Sequence, residues 1–385
     1  MEWRSFKTNN KHITINKHTM KLACFHLFND YSGSPKVLKS VLKGVAGHGG
    51  CEIDLMTSRG GVLDELKGTE GIRMRQYDYR FARNIIIRVL RYAWAQIVIS
   101  AYALSYCFKR NVTFYINTIL PIGPAIIGRL TGKRVIYHYH ENAKAKSRFY
   151  CVLAWFMQHL AHEIICVSKY QSSFLARKEH VSVIPNALPR EFTDRLIPDA
   201  KRAFADKRVL MLGSLKEYKG TDEFIALARM LPDFSFELVL NEDSCNIEAY
   251  LKGNGTELPA NLTIHPRQDD VVPFYNRASL VVNLSNKELF IETFGLTALE
   301  AMSAGLPVIV PTVGGIAEMV ENGVNGYKID TKEIEHIAFC IKNALTDEKL
   351  FITLANNALE SSTEYNEQNM LTMINRIIGL PVEAV

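Results

Sequence analysis

Short β-branched runs alternate with amphipathic stretches twice along this chain, and that alternation leaves few folds open. From Lys21 the strand-like runs are KLACFHLF (21–28), EIDLMTS (52–58), IRMRQYD (72–78), VTFYIN (112–117), RVIYHYH (134–140), EIICVS (163–168) and VSVIPN (181–186). Between most of them stand amphipathic segments such as PKVLKSVLKGVA and SRFYCVLAWFMQHLA. A second series reads RVLMLG (208–213), FSFELVL (234–240), LTIH (262–265), SLVVNLS (279–285), PVIV (307–310) and GYKI (326–329). Strands alternating with helices build mainly parallel, doubly wound sheets. The stretch between the series, ALPREFTDRLIPDAKRAFADK, is charged and holds two prolines, as a domain boundary does.

These readings predict an α/β chain of two Rossmann-like domains, and 385 residues are enough for both. The first is expected over 20–195 and the second over 196–365. A closing amphipathic helix over 366–385 could pack on either domain. Residues 1–19 are polar, lack the apolar core of a signal peptide, and are read as an extension outside the fold. Ligands of such sheets gather at the carboxyl ends of the strands, here the cleft between the domains.

The net charge of +5 and pI near 8.7 suit a phosphate-bearing partner. They fall short of the Lys/Arg density of a nucleic-acid binder, and no nucleic-acid partner is expected. Seven scattered cysteines with no CxxC pair argue against a disulfide framework and a zinc site, so a reducing cytoplasm is expected. One segment, NIIIRVLRYAWAQIVISAYALSYCFKR (84–110), is strongly apolar but interrupted by Arg88 and Arg91. It reads either as a buried helix of the first domain or as a helix whose basic, aromatic end rests peripherally on a membrane.

Several nucleotide motifs are absent. No GxGxxG follows either first strand, and GPAIIGRL (123–130) has Arg129 and Leu130 where a P-loop needs lysine and a hydroxyl. What remains is ETFGLTALE, with Glu292 before an expected helix start near Phe294–Gly295 and Glu300 inside that helix. A helix amino terminus offers unpaired N–H groups to a phosphate, and Gly295 has no side chain to keep a ligand away. Carboxylates beside a phosphate repel it, but they suit hydroxyl pairs on either side of a diphosphate. Alternatively, Glu292 only caps the helix and Glu300 is a solvated surface residue.

The flanking residues resemble the retaining GT-B glycosyltransferases of family 4, the group 1 glycosyltransferases. The resemblance rests on ETFGLTALEAMSAGLPVIV, then GGIAEMV (314–320) and NGVNGYKI (322–329). It extends to VLMLGSLKEYKGTDEFI (209–225), VSVIPNA, EIICVSKY and SGSPKVL (32–38), covering most of residues 20–380.

That resemblance implies a nucleotide-diphosphate sugar donor and an acceptor hydroxyl; the basic first domain and segment 84–110 lean, among sugar or lipid-linked acceptors, towards a lipid-linked one on the inner membrane face, as in cell-surface polysaccharide or glycolipid assembly. It implies no cofactor and no metal. Glu292 would bind sugar hydroxyls and Glu300 the ribose, with backbone contacts from Phe294, Gly295 and Leu296. Lys219 would neutralise the diphosphate; independently, a lysine at a strand–helix turn suits an anion in the cleft. Gly33 and Ser34 match the loop under the diphosphate, and His140 the strand-end histidine facing the donor sugar, although His138 shares its parity. Ser214 stands where many relatives carry arginine, a loss that Lys216 or Lys219 would offset. Arg267 is expected beside the base, or as the phosphate partner that Ser214 is not. The rival readings are a sugar-nucleotide epimerase on the same architecture and a non-catalytic nucleotide-sugar-binding assembly protein.

Overall fold

The computed structural model describes residues 20–80, 82 and 84–381; the extension expected over 1–19 lies outside the described residues. The first sheet has seven parallel strands: β1 (Met20–Phe25), β2 (Cys51–Ser58), β3 (Ile72–Tyr77), β4 (Val112–Asn117), β5 (Arg134–Tyr139), β6 (Glu163–Cys166) and β7 (Val181–Val183). Their order is β3-β2-β1-β4-β5-β6-β7. The second sheet has six: β8 (Arg208–Gly213), β9 (Ser235–Leu240), β10 (Leu262–His265), β11 (Leu280–Val282), β12 (Val308–Val310) and β13 (Gly326–Lys328). Its order is β10-β9-β8-β11-β12-β13, again all parallel. Each sheet therefore reverses its winding once, between β1 and β4 in the first and between β8 and β11 in the second. Crevices at such points, at the strands' carboxyl ends, take ligands.

Period-2 alternation assigns the two faces of the first sheet. Leu22 and Cys24 of β1 join the core under helix α1 (Gly33–His48). Ala23 and Phe25 join the opposite core, under α2 (Ile85–Leu104) and α3 (Ile122–Leu130), with the short α4 (Ala143–Lys146) and α5 (Arg148–Leu160) beyond them. The P-loop-like run GPAIIGRL lies in α3.

Two strands end earlier than their sequences suggest. Within SLVVNLS the strand is Leu280–Val282; Asn283 N–H still donates to Ile309 O at 2.8 Å, but Asn283 Oδ1 then takes the N–H of Ser285 at 3.1 Å and draws it from the ladder. VSVIPN stops at Val183, two residues before Pro185, whose nitrogen has no hydrogen to donate.

The closing helix, Glu367–Ile378, packs on the first domain. Met370, Ile374 and Ile378 recur every four residues and join the core under α1, while Ser40 Oγ donates to Glu367 at 2.6 Å. A bridge between Leu188 and Asn366 places the two crossings between domains side by side.

Segment 84–110 corrects the buried-helix expectation. Ala95, Ile99 and Ala103 are buried against the domain, whereas much of the remaining apolar surface of α2 is exposed.

Candidate active site

The carboxyl ends of β1, β4 and β5 face those of β8 and β11, and the predicted residues collect where they meet. Helix Leu296–Ser303 begins directly after Gly295, whose φ of +96° places it in the left-handed region. A Cβ there would lie 2.4 Å from Ile316 Cγ1, so packing and backbone both require glycine, in addition to any ligand. The GG turn at 314–315 supports the same loop from behind. Gly315 N–H donates to Glu292 O at 2.8 Å, and a Cβ on Gly315 would lie 1.9 Å from Thr293 O.

Gly33 opens α1 directly opposite: an added Cβ would sit 3.5 Å from Leu296 Cδ1. Two helix amino termini, one from each domain, thus converge on one place. Neither has an acidic residue in its first turn. Their unpaired N–H groups and partial positive charge are of the kind that suits an anion. Phe294 is buried, its ring 5.8 Å from that of Tyr365, so only its backbone is available to a ligand.

Lys219 and Glu292, to which the sequence assigned separate partners, contact each other directly. Ser285 Oγ donates to the same Glu292 oxygen at 3.2 Å. Stacked Tyr218 and Phe290, centroids 4.6 Å apart, wall in the ammonium, which lies 5.2 Å from the Phe290 ring centre. Ser214 is half-buried at the end of β8. Lys216 is exposed, its ammonium 5.8 Å from the Tyr218 ring. Glu300 accepts from Tyr275 Oη at 2.5 Å. Burial raises its pKa above the ordinary carboxylate value, while Lys36 on α1 and the Tyr275 hydroxyl oppose that shift.

Arg267 forms an ion pair with Asp243 at 2.7 Å and lies 5.7 Å from the Tyr31 ring of the first domain. With Ser244 and Pro266 these residues line a cavity of about 420 Å³. Arg267 is thus paired with Asp243 as Lys219 is with Glu292, and Lys36 in the first turn of α1 acts on Glu300.

His140 is half-buried at the end of β5. His138 lies beneath it, rings 4.2 Å apart, fully buried with Nδ1 accepting from Tyr115 Oη at 2.7 Å. Parity alone left the two histidines tied; depth separates them. Sequence reasoning missed Asn117, which links His140 to a third histidine. Assigned from the network, His140 Nε2–H donates to Asn117 Oδ1 at 2.9 Å and Asn117 Nδ2 donates to His26 Nδ1 at 3.1 Å. His26 Nε2–H then donates to Phe28 O at 2.8 Å. The chain ends on a carbonyl, which can only accept, so His26 carries its hydrogen on Nε2, accepts on Nδ1 and is neutral, while for His140 the chain fixes only the Nε2–H. Burial agrees, moving His26 down to about 4 and His140 well below the ordinary histidine value. The next residue, Thr118, has a φ of +69°, an outlier for a β-branched residue and a mark of local strain beside the site.

The overall arrangement matches solved structures. HepE of Anabaena, in complex with UDP-glucose, superposes with a TM-score of 0.74 over 93% of this chain and 99% of its own, at 18% identity. The fold is GT-B.

Within this GT-B chain, residues 194–361 match the sequence model of the group 1 glycosyl transferases. An uncharacterized glycosyltransferase of Methanocaldococcus jannaschii is 30% identical over 215 residues, covering 51% of this chain and 54% of the relative. The N,N'-diacetylbacillosaminyl-diphospho-undecaprenol alpha-1,3-N-acetylgalactosaminyltransferase of Campylobacter jejuni is 27% identical over 57% of this chain and 61% of its own. The chain thus spans little more than half the length of these curated relatives.

Proposed function

We propose that this chain transfers a glycosyl group from a nucleotide-diphosphate sugar to an acceptor hydroxyl, with retention of anomeric configuration. The observation that carries the reading is the convergence of two helix amino termini, a pole for an anion, beside the Lys219–Glu292 pair, with Glu300 inside the second of those helices. A diphosphate fits the pole, and the two carboxylates suit hydroxyls of a sugar and a ribose.

Negative charge grows on the leaving diphosphate as the glycosidic bond breaks. Fixed N–H dipoles and the Lys219 ammonium stabilise that charge without reorganising. A diphosphate oxygen takes the acceptor proton while the acceptor oxygen bonds to the anomeric carbon on the same face. No enzyme nucleophile is needed, and no metal ion enters the scheme. His140, held through Nε2 by Asn117, keeps Nδ1 for a hydroxyl of the donor sugar.

UDP-glucose in HepE and the undecaprenol-linked substrate named for the Campylobacter relative make UDP-sugars and lipid-linked acceptors the first to try. Cell-surface polysaccharide or glycolipid assembly is the corresponding setting. The test is a calorimetric and thermal-shift screen of UDP-, GDP-, ADP- and dTDP-sugars, followed by product analysis with and without acceptor. Donor binding with acceptor-dependent release of nucleoside diphosphate supports transfer. Isomerised donor formed without acceptor would identify an epimerase instead.

A further inference from the structure

We propose that the outer face of α2, α3 and α5 is a docking surface for an anionic lipid bilayer, on which the first domain lies without crossing it. Along α2, Leu90, Trp94 and Ile97 are 64%, 60% and 62% exposed, and Ile86 continues the stripe. Trp155 and Val152 of α5, each more than half exposed, extend it. Phe149 of α5 meets Tyr92 of α2 edge-on, ring centroids 5.6 Å apart, so the two helices present one surface. Apolar residues exposed singly are ordinary; a continuous platform of indole, phenyl and branched side chains across neighbouring helices marks an interaction site.

The charge around the platform identifies what it meets. Between Tyr79 and Ala161 the one acidic residue is Glu141, and it is buried. The same span carries Arg91, Lys109, Arg110, Lys144, Lys146 and Arg148 among its basic residues. Lys109 and Lys146 lie over the rings of Tyr106 and Tyr150 rather than against carboxylates. Apolar side chains accompanied by lysine, arginine and aromatic residues, with no exposed acid within that span, complement an anionic headgroup layer. A second copy of this face would bring like charges together.

Among the described residues α2 is the one helix long and apolar enough to cross a membrane. Its inner side, however, belongs to the domain. Tyr92 Oη and Gln96 Nε2 both donate to Leu120 O, at 2.9 and 3.0 Å, and Gly123 N–H donates to Gln96 Oε1 at 3.0 Å. A Cβ on Gly123 would lie 2.0 Å from Ser100 Oγ, so α2 and α3 touch backbone-close. Spanning a bilayer would break those contacts, whereas lying in the interface keeps them. Both α2 and α5 begin at the strands' carboxyl ends, so docking brings the bilayer beside the His140 end of the cleft.

The test does not depend on the glycosyl-transfer reading. The full chain is floated with vesicles of phosphatidylcholine alone and of phosphatidylcholine with phosphatidylglycerol, beside the variant Leu90→Ser/Trp94→Ser/Ile97→Ser. These side chains are exposed, so circular dichroism and melting temperature should match wild type. The expected result is flotation with anionic vesicles, weakened by salt and by alkaline carbonate, and at least about tenfold lower partitioning for the variant. Wild-type protein that stays in the aqueous phase, or a variant that partitions equally, overturns the proposal. So do carbonate-resistant insertion, which indicates a span, and a wild-type dimer that the variant dissolves without vesicle binding, which indicates a second copy.

Discussion

Thr293 of the second domain donates its hydroxyl to the backbone carbonyl of His140 in the first, at 2.8 Å. In return Ser168 Oγ of the first domain donates to Thr293 O at 2.7 Å. Next to these contacts, Lys169 N–H donates to Glu318 of the second domain at 3.1 Å. The loop that carries Glu292 is thus tied to the strand end that carries His140.

Replacing Thr293 with valine keeps the shape and removes the donor. A net hydrogen bond is worth about 0.5–1.5 kcal/mol, so turnover should fall roughly two- to tenfold with little change in melting temperature. Steady-state kinetics with the donor chosen by screening checks this. An unchanged kcat would make the contact incidental to the proposed reaction.

Lys219 and Glu292 should behave as a coupled pair. Lys219→Ala removes the cation and leaves Glu292 facing a bound anion, so donor affinity should drop at least about tenfold, from ~1.5–3 kcal/mol per charged hydrogen bond. Lys219→Ala/Glu292→Gln should bind nucleoside diphosphate better than Lys219→Ala alone, since the repulsion is gone. Calorimetry closes the cycle, and strictly additive losses would separate the two roles.

Glu300 gives a pH signature. As an acceptor for hydroxyls it must be ionised, and burial raises its pKa. Donor affinity should therefore begin to fall, on acidification, at a higher pH than for an ordinary carboxylate. Tyr275→Phe removes a hydrogen bond to the charged form and should move the midpoint up further. Folding raises this pKa, so its stabilising contribution is present at low pH and lost as pH rises through the folded value. Glu300→Gln should accordingly keep or raise the melting temperature at neutral pH while weakening donor binding. A large thermal loss would mean the carboxylate is structural.

His26 works in the opposite direction on stability. Its pKa falls from 6.5 to about 4 on folding, so the unfolded chain binds the proton first. Stability present above about 6.5 should be lost as pH drops towards about 4. Melting temperatures across that window should fall less steeply for His26→Gln than for wild type; parallel curves would count against the assignment.

Gly295→Ala places a methyl group against Ile316 in a left-handed backbone. Denaturant melts should show a loss of about 1–3 kcal/mol. Ile316→Ala in the same chain should recover the packing part alone, and a fully tolerated Gly295→Ala would leave ligand approach as the only demand on that glycine.

Much of the fold was legible because strand periodicity is local. All thirteen strands were anticipated, and the errors fell at ends such as 283–285, where an asparagine side chain competes for a backbone N–H. The segment around Glu292 and Glu300 was legible because a helix start and its glycine are close in sequence. Asn117 was not, since an asparagine ending a strand gives no signal until β4 and β5 are paired and His26 stands across from it. The exposed side of α2 was left undecided for the same reason: hydropathy records composition, and only the positions of β4, α3 and α5 decide which side is covered.

By itself, then, the sequence determined the two parallel sheets and the loop that opens helix Leu296–Ser303. These depend on periodicity, turn residues and short spacings. Tertiary structure alone decided that Lys219 meets Glu292, that His140 rather than His138 borders the cleft, and that the last helix returns to the first domain. Each of those is a contact between residues distant in the chain. Such contacts form only when separate elements are packed, and no local pattern specifies them.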